Sequence, residues 1–197
     1  MNAPFRKIWT QEEFFAWEGH AEGRYEFDGL EPVAMTGGTF GHSLIMGNLH
    51  AALRRALRDT GCRMPGPDAG IATVGKAVRY PDALVTCARV PMGALTVPDV
   101  VAVFEVVSPG SSRMDRIVKV REYAAVPTIL HYVILESTGA GLTVFGRTEG
   151  TAAWTASTLL SEDSLRLSDL GIELPVAELY EGVEFGGEQP PTLPAPS

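Results

Sequence analysis

The chain has 197 residues, 45% hydrophobic and 20% charged, with a formal net charge of −8. That length can bury a real core in a single domain, and no apolar run approaches the roughly 20 residues that cross a bilayer. The acidic balance excludes a broad basic footprint, so a nucleic-acid partner would have to be met through local basic faces or bound metal cations.

The opening "MNAPFRKIWTQEEF" has no apolar leader core, which points to a cytoplasmic protein. Cys62 and Cys87 are expected to be free thiols, buried as small apolar side chains. Thr10 and Glu13 form a capping box ahead of a short helix that ends at Gly19. "GRYEFDGLEPVAMTGG" then reads as a hairpin turning at Asp28-Gly29. In the next segment Leu44, Ile45, Asn48, Leu49, Ala52, Leu53, Ala56 and Leu57 recur at helical spacing, and Gly61 supplies a stop. Arg54, Arg55 and Arg58 suit the end of that helix dipole and need no ligand there.

Short strands are expected next, at 69–74, 78–80, 83–87 and 100–107. A helix over 112–125 follows, capped by Ser112 with Asp115 three residues on. "LHYVILE", "GLTVFGR" and "AAWTAST" read as three further strands, with Gly139 and Gly141 at a hairpin turn. "VAELYEGV" is a short last helix. The Pro/Gly-rich tail over 186–197 reads as disordered.

Glu105 is the anomaly in this pattern. It interrupts an apolar strand, and a carboxylate buried there needs a partner. Asp82 precedes the 83–87 strand. If the two strands pair antiparallel, Asp82 lies beside Glu105 at one end of the sheet. Two carboxylates meeting there repel unless a cation intervenes. Hard oxygen donors suit Mg²⁺ or Mn²⁺, and the Val106 carbonyl can add a ligand. Lys119, about two turns into the following helix, can reach back to orient an attacking water and stabilise charge on a phosphoryl group.

Each of these residues also has a plainer reading. Asp115 and Lys119 form a favourable i,i+4 pair. Asp82 after Pro81 suits a turn. Glu26 is a third acid for the site, yet strand alternation sets it opposite Tyr25 and Phe27, toward solvent. His42, at the start of the long helix, can contact phosphate or serve as packing or a cap. His20, His50 and His131 show no zinc-ligand spacing.

The stretches "RYEFDGLEPVAMTGGTFGHSLIMGNLHAALRRAL", "RYPDALVTC" and "PDVVAVFEVVSPGSSRMDRIVKVREYAAVPTILHYVILE" resemble the Uma family of restriction-endonuclease-like proteins, within the PD-(D/E)xK nuclease superfamily. The resemblance runs from about Tyr25 to Arg147. It implies an α/β (α+β) core with a mixed sheet flanked by helices. It also implies Asp82 and Glu105 as metal ligands and Glu26 as an additional acid. Val107 stands where the superfamily lysine would be, and Lys119 on the next helix takes that place.

The expected activity is Mg²⁺-dependent DNA cleavage by a homodimer. A non-catalytic nucleic-acid-binding or regulatory module, and a phosphodiesterase acting on RNA or nucleotides, fit the same residues. No recognition helix or Arg-rich arm for reading bases is evident.

Overall fold

The computed structural model describes residues 7–107 and 113–186, with side chains in the second segment from 116 onward. The expected Ser112 cap and residues 187–197 of the expected tail lie outside the described residues, and the side chain of its Asp115 partner lies outside the described side chains.

Helix α1 (Gln11–Glu18) starts at the expected capping box. Thr10 Oγ1 accepts from the Glu13 amide at 3.2 Å, and Glu13 Oε2 accepts from the Thr10 amide at 2.9 Å. Strands β1 (Tyr25–Phe27) and β2 (Pro32–Ala34) form the expected hairpin. Asp28 Oδ1 makes its turn by accepting from the amides of Leu30 and Glu31, both at 2.8 Å. Gly29 (φ +93°) packs so closely that an added Cβ would lie 2.6 Å from the Gly75 carbonyl oxygen, so only glycine fits there.

Helix α2 (Phe40–Ala56) is capped by Thr39, whose hydroxyl accepts from the His42 amide. The helix gives way at Leu57, before the expected stop at Gly61. The strand expected over 69–74 is shorter. Only β3 (Ile71–Ala72) pairs, and a 3₁₀ turn at Val74–Lys76 leads into β4 (Val78–Arg79). A small antiparallel sheet results, ordered β2-β1-β4-β3. Phe14 of α1 stacks on Phe27 at 5.3 Å between ring centres, and both bury against Val78.

The main sheet has five strands: β5 (Ala83–Thr86), β6 (Val100–Val107), β7 (His131–Glu136), β8 (Gly141–Gly146) and β9 (Thr155–Leu160). They lie side by side in that order. β6 and β7 run parallel, whereas the other neighbours are antiparallel. A parallel pair cannot close through a tight turn, and helix α3 (Arg113–Ala124) makes the crossover. β9 starts three residues later and ends two later than the stretch expected over 152–158.

A second hairpin, β10 (Ser164–Leu167) with β11 (Ile172–Pro175), was not foreseen; it leads into the short α4 (Val176–Leu179). Its inward residues alternate as Leu165, Leu167, Ile172 and Leu174. They join Ile45, Leu49 and Leu53 of α2 and Phe104 of β6 in one apolar cluster. The other cluster holds Val103, Tyr132 and Ile134 with Tyr123 of α3. Each fully buried side chain of this size contributes about 1.5–3 kcal/mol. The mixed α+β architecture is therefore layered, with α2 and the second hairpin on one apolar cluster and α3 on the other.

Arg147, just after β8, clasps the end of α3. It donates to the carbonyls of Ala124 at 2.8 Å, of Ile129 at 2.9 Å, and of Val126. A guanidinium there satisfies carbonyls that a helix end leaves open.

The expectation of free thiols is corrected: Cys62 and Cys87 form a disulfide. Arg63 and Thr86 exchange backbone hydrogen bonds of 2.8 and 3.1 Å as an isolated antiparallel bridge. The next pair outward is Cys62 and Cys87, a position where strands come closest, and their Cα atoms are 3.9 Å apart. Residue counts and compartment arguments could not see that long-range pairing. Intact-mass analysis after alkylation without reductant should find no labelled thiol. The double variant Cys62→Ser/Cys87→Ser should lose about 3 kcal/mol in denaturant unfolding, through the freed loop entropy of the unfolded chain.

Candidate active site

The register Ala83↔Phe104 sets Asp82 across from Glu105 at the end of the β5–β6 pair. Asp82 Oδ2 accepts from the Val106 amide at 2.7 Å, which fixes its carboxylate against the strand that carries Glu105. Its other oxygen, Oδ1, accepts from His42 Nε2 at 3.2 Å. His50, two turns further along α2, donates to the Asp82 backbone carbonyl at 2.7 Å. One helix thus contributes two imidazoles that anchor the start of β5. His50 was not foreseen, although its i,i+8 spacing from His42 places both on nearly one helical face.

Glu105 lies on the opposite side of β6 from Phe104 and Val106, facing α3. Its Oε1 accepts from Tyr123 Oη at 2.9 Å and from Lys119 Nζ at 3.1 Å. Its Oε2 accepts from Tyr132 Oη at 3.1 Å. Tyr123 and Tyr132 meet edge to face at 4.9 Å between ring centres. Burial is the strongest influence on Glu105 and pushes its carboxyl up. The Lys119 charge opposes that rise and Glu26 adds to it. Burial likewise pushes the Tyr123 hydroxyl well up, so it stays a donor to the carboxylate.

Lys119 bridges two acids. Its Nζ lies 3.6 Å from Glu26 Oε1 as well as 3.1 Å from Glu105. The i,i+4 alternative with Asp115 falls outside the described side chains. Glu26 departs from the solvent-facing expectation: it is 7% exposed. Its partners explain why. Arg79 Nη1 donates to its Oε2 at 3.1 Å and the Tyr80 amide to its Oε1 at 3.2 Å. Arg79 in turn donates from Nε and Nη2 to the two oxygens of Glu122, both at 2.7 Å. Burial would weaken the Arg79 charge, but the bonds to Glu122 and the field of Glu26 outweigh it and hold the guanidinium above its usual range.

The structure therefore gathers Glu26, Glu105 and Lys119 into one buried network, with Asp82, Val106 and His42 beside it at the strand end. Sequence reasoning missed Arg79, Glu122 and Tyr132. The signal available for Glu122 was its place one turn after Lys119. Among Glu26, Glu105, Glu122, Arg79 and Lys119, three acids share two cations. Among the described residues, no group of three or more His, Cys, Asp or Glu side chains is arranged to hold a metal ion.

An α+β fold with two sheet-end carboxylates and a helix-borne lysine is nuclease-like, and the comparisons agree in class. Residues 11–177 match the Uma2 family, described as "Putative restriction endonuclease", and the chain belongs to that family. It is 29% identical over 188 residues to "Uncharacterized protein slr1290" of Synechocystis, spanning 93% of this chain and 97% of that protein. In fold it is similar to the crystal structure of a "putative nuclease belonging to DUF820" from Anabaena variabilis. That match has a TM-score of 0.67 at 14% identity, covering 87% of this chain and 97% of that one.

The hydrogen bond from His42 to Asp82 is the leading cause of a raised imidazole pKa, opposed by burial and aided by the Asp82 charge and the Val106 backbone. A group whose pKa rises on folding adds stability below its unfolded value, and that stability is lost as pH climbs through the folded value. The NMR titration of His42 should have its midpoint above the ordinary histidine range of about 6.5. It should fall toward that range in Asp82→Asn, and a His42 midpoint unmoved by that change would refute the pairing.

Proposed function

We propose that this chain is a divalent-metal-dependent nuclease that hydrolyses DNA phosphodiester bonds. The observation that carries the reading is the reach of Lys119. From a crossover helix it places its ammonium on Glu105, beside the strand end where Asp82 is held.

The donor set fits Mg²⁺ or Mn²⁺ in chemistry. Asp82, just before β5, and Glu105, on the paired β6, are hard carboxylates, and the Val106 carbonyl follows Glu105 in the chain. A carboxylate pair has about four lone-pair sites each. Asp82 accepts the two bonds described and Glu105 three, which leaves each capacity for a cation. A bound divalent ion would lower the pKa of the attacking water and neutralise charge on the phosphoryl oxygens.

The chain's own groups do the rest. Lys119 holds the water for in-line attack and offers positive charge to the developing phosphorane. Tyr123 and Tyr132 fix the Glu105 carboxylate. Glu26 holds the Lys119 ammonium as its second ionic partner. His42 orients Asp82 and stands where a phosphate oxygen could meet the start of α2. In hydrolysis the water oxygen loses a proton to solvent and bonds to phosphorus, the bond from phosphorus to the leaving deoxyribose oxygen breaks, and that oxygen takes up a proton from solvent.

The protein would act in the cytoplasm as a single-domain homodimer, two sites serving the two strands of a duplex. No helix among the described residues is long and apolar enough to cross a membrane.

One observation favours a silent binding or regulatory module instead: each acid already has protein partners. The net charge of −8 adds to it. A plasmid-nicking assay across Mg²⁺ and Mn²⁺ concentrations separates the readings. Metal-dependent nicking should fall by roughly 100-fold or more in both Asp82→Ala and Lys119→Ala, the scale on which positioned acid–base groups act. DNA binding without turnover in either metal would favour the silent module, and cleavage confined to RNA or nucleotides would reassign the substrate.

A further inference from the structure

We propose that Arg79 is a positioning residue for Lys119, acting through Glu26 on one side and Glu122 on the other. In its link to catalysis this rests on the nuclease reading; the positioning itself does not.

The pairing Phe27↔Val78 places Arg79 directly across from Glu26 in the small sheet. Its guanidinium then spans from that sheet to α3, where both Glu122 oxygens receive it at 2.7 Å. Glu122 follows Lys119 by three residues, so the two share a helical face. Both acids gripped by Arg79 thus bear on Lys119: one is its ionic partner and the other fixes the turn that carries it.

The chemistry requires arginine. A planar fork offers two parallel donors to one carboxylate and a third to another, which an ammonium cannot do. Arg79 is 6% exposed. Buried ion pairs are poor devices for stability alone, because desolvation offsets the attraction. An apolar contact would fasten α3 to the small sheet at less cost. The fork instead sets the distance and rotation of α3 relative to Glu26. A second ionic tether of α3, Arg116 to Glu136 at 3.0 Å, runs to β7 instead of to Glu26, Glu105 or Glu122.

The test compares Arg79→Lys, Glu122→Gln and the control Glu136→Gln with the parent chain, after circular dichroism shows native secondary structure. Lys119 reactivity is read by acetylation under native conditions and peptide mass spectrometry, and cleavage is read as kcat and KM. The acetylation rate of Lys119 should rise roughly tenfold in Arg79→Lys and Glu122→Gln, the scale of one lost charge-assisted hydrogen bond, and stay at the parent rate in Glu136→Gln. Cleavage should lose kcat with little change in KM. Because Glu122→Gln leaves Arg79 in place, it keeps the test decisive if Arg79→Lys does not fold. Equal Lys119 reactivity in Glu122→Gln and the parent chain overturns the proposal, as does an equal rise in Glu136→Gln. Raised Lys119 reactivity in Arg79→Lys and Glu122→Gln, with a parent chain that cuts nothing, upholds the positioning and removes the nuclease reading.

Discussion

An ionisable carboxylate inside an apolar strand is the constraint from which the site follows. Glu105 sits between Phe104 and Val106 near the end of β6, an inner strand of the main sheet, and burial makes its charge expensive. Two tyrosine hydroxyls and one ammonium offset that cost: Tyr123 and Lys119 both come from the crossover helix α3, and Tyr132 comes from the neighbouring strand β7. Lys119 cannot leave Glu105 without exposing the acid to an apolar surround. The same cation is shared with Glu26, whose own burial is offset further by Arg79 across from it and by the Tyr80 amide. One buried acid thereby recruits a chain of alternating charges that links the two sheets through α3.

Local signals in the sequence proved readable wherever a single element decided the outcome. The Thr10–Glu13 box, the Asp28 turn, the apolar stripe of α2 and the apolar run of β6 each carry their own physics. The approach of Asp82 to Glu105 was readable too, because antiparallel pairing puts the start of one strand beside the end of the next. Glu26 was misread for a reason of the same kind. Alternation gives the face a residue occupies, not what covers that face, and here the cover is a guanidinium from a strand more than fifty residues on (|i−j| = 53). The disulfide and the second hairpin failed likewise, since both depend on which distant segments meet.

Val107 is instructive beside Lys119. The strand position that resembles the superfamily's lysine site is buried and apolar here, within the cluster that includes Tyr123 and Ile134. Because Lys119 is carried on a helix, its reach is under the control of packing between layers rather than of strand register. The helix Lys119 rides on is held by a fork of arginine on one side and two tyrosines of the Glu105 shell nearby. Arrival at the acid therefore depends on side chains that the strand-borne arrangement would not need.

The clasp of Arg147 gives α3 a mechanical character. Three backbone carbonyls at and beyond the last turn of the helix are tied to one rigid guanidinium that follows β8. The opposite end is fastened as well, by Arg116 to Glu136 of β7. Lys119 lies between the two anchorages, so α3 carries it as a beam fixed near both ends, and the direction of its ammonium is set by the frame of the main sheet as much as by the acids it touches.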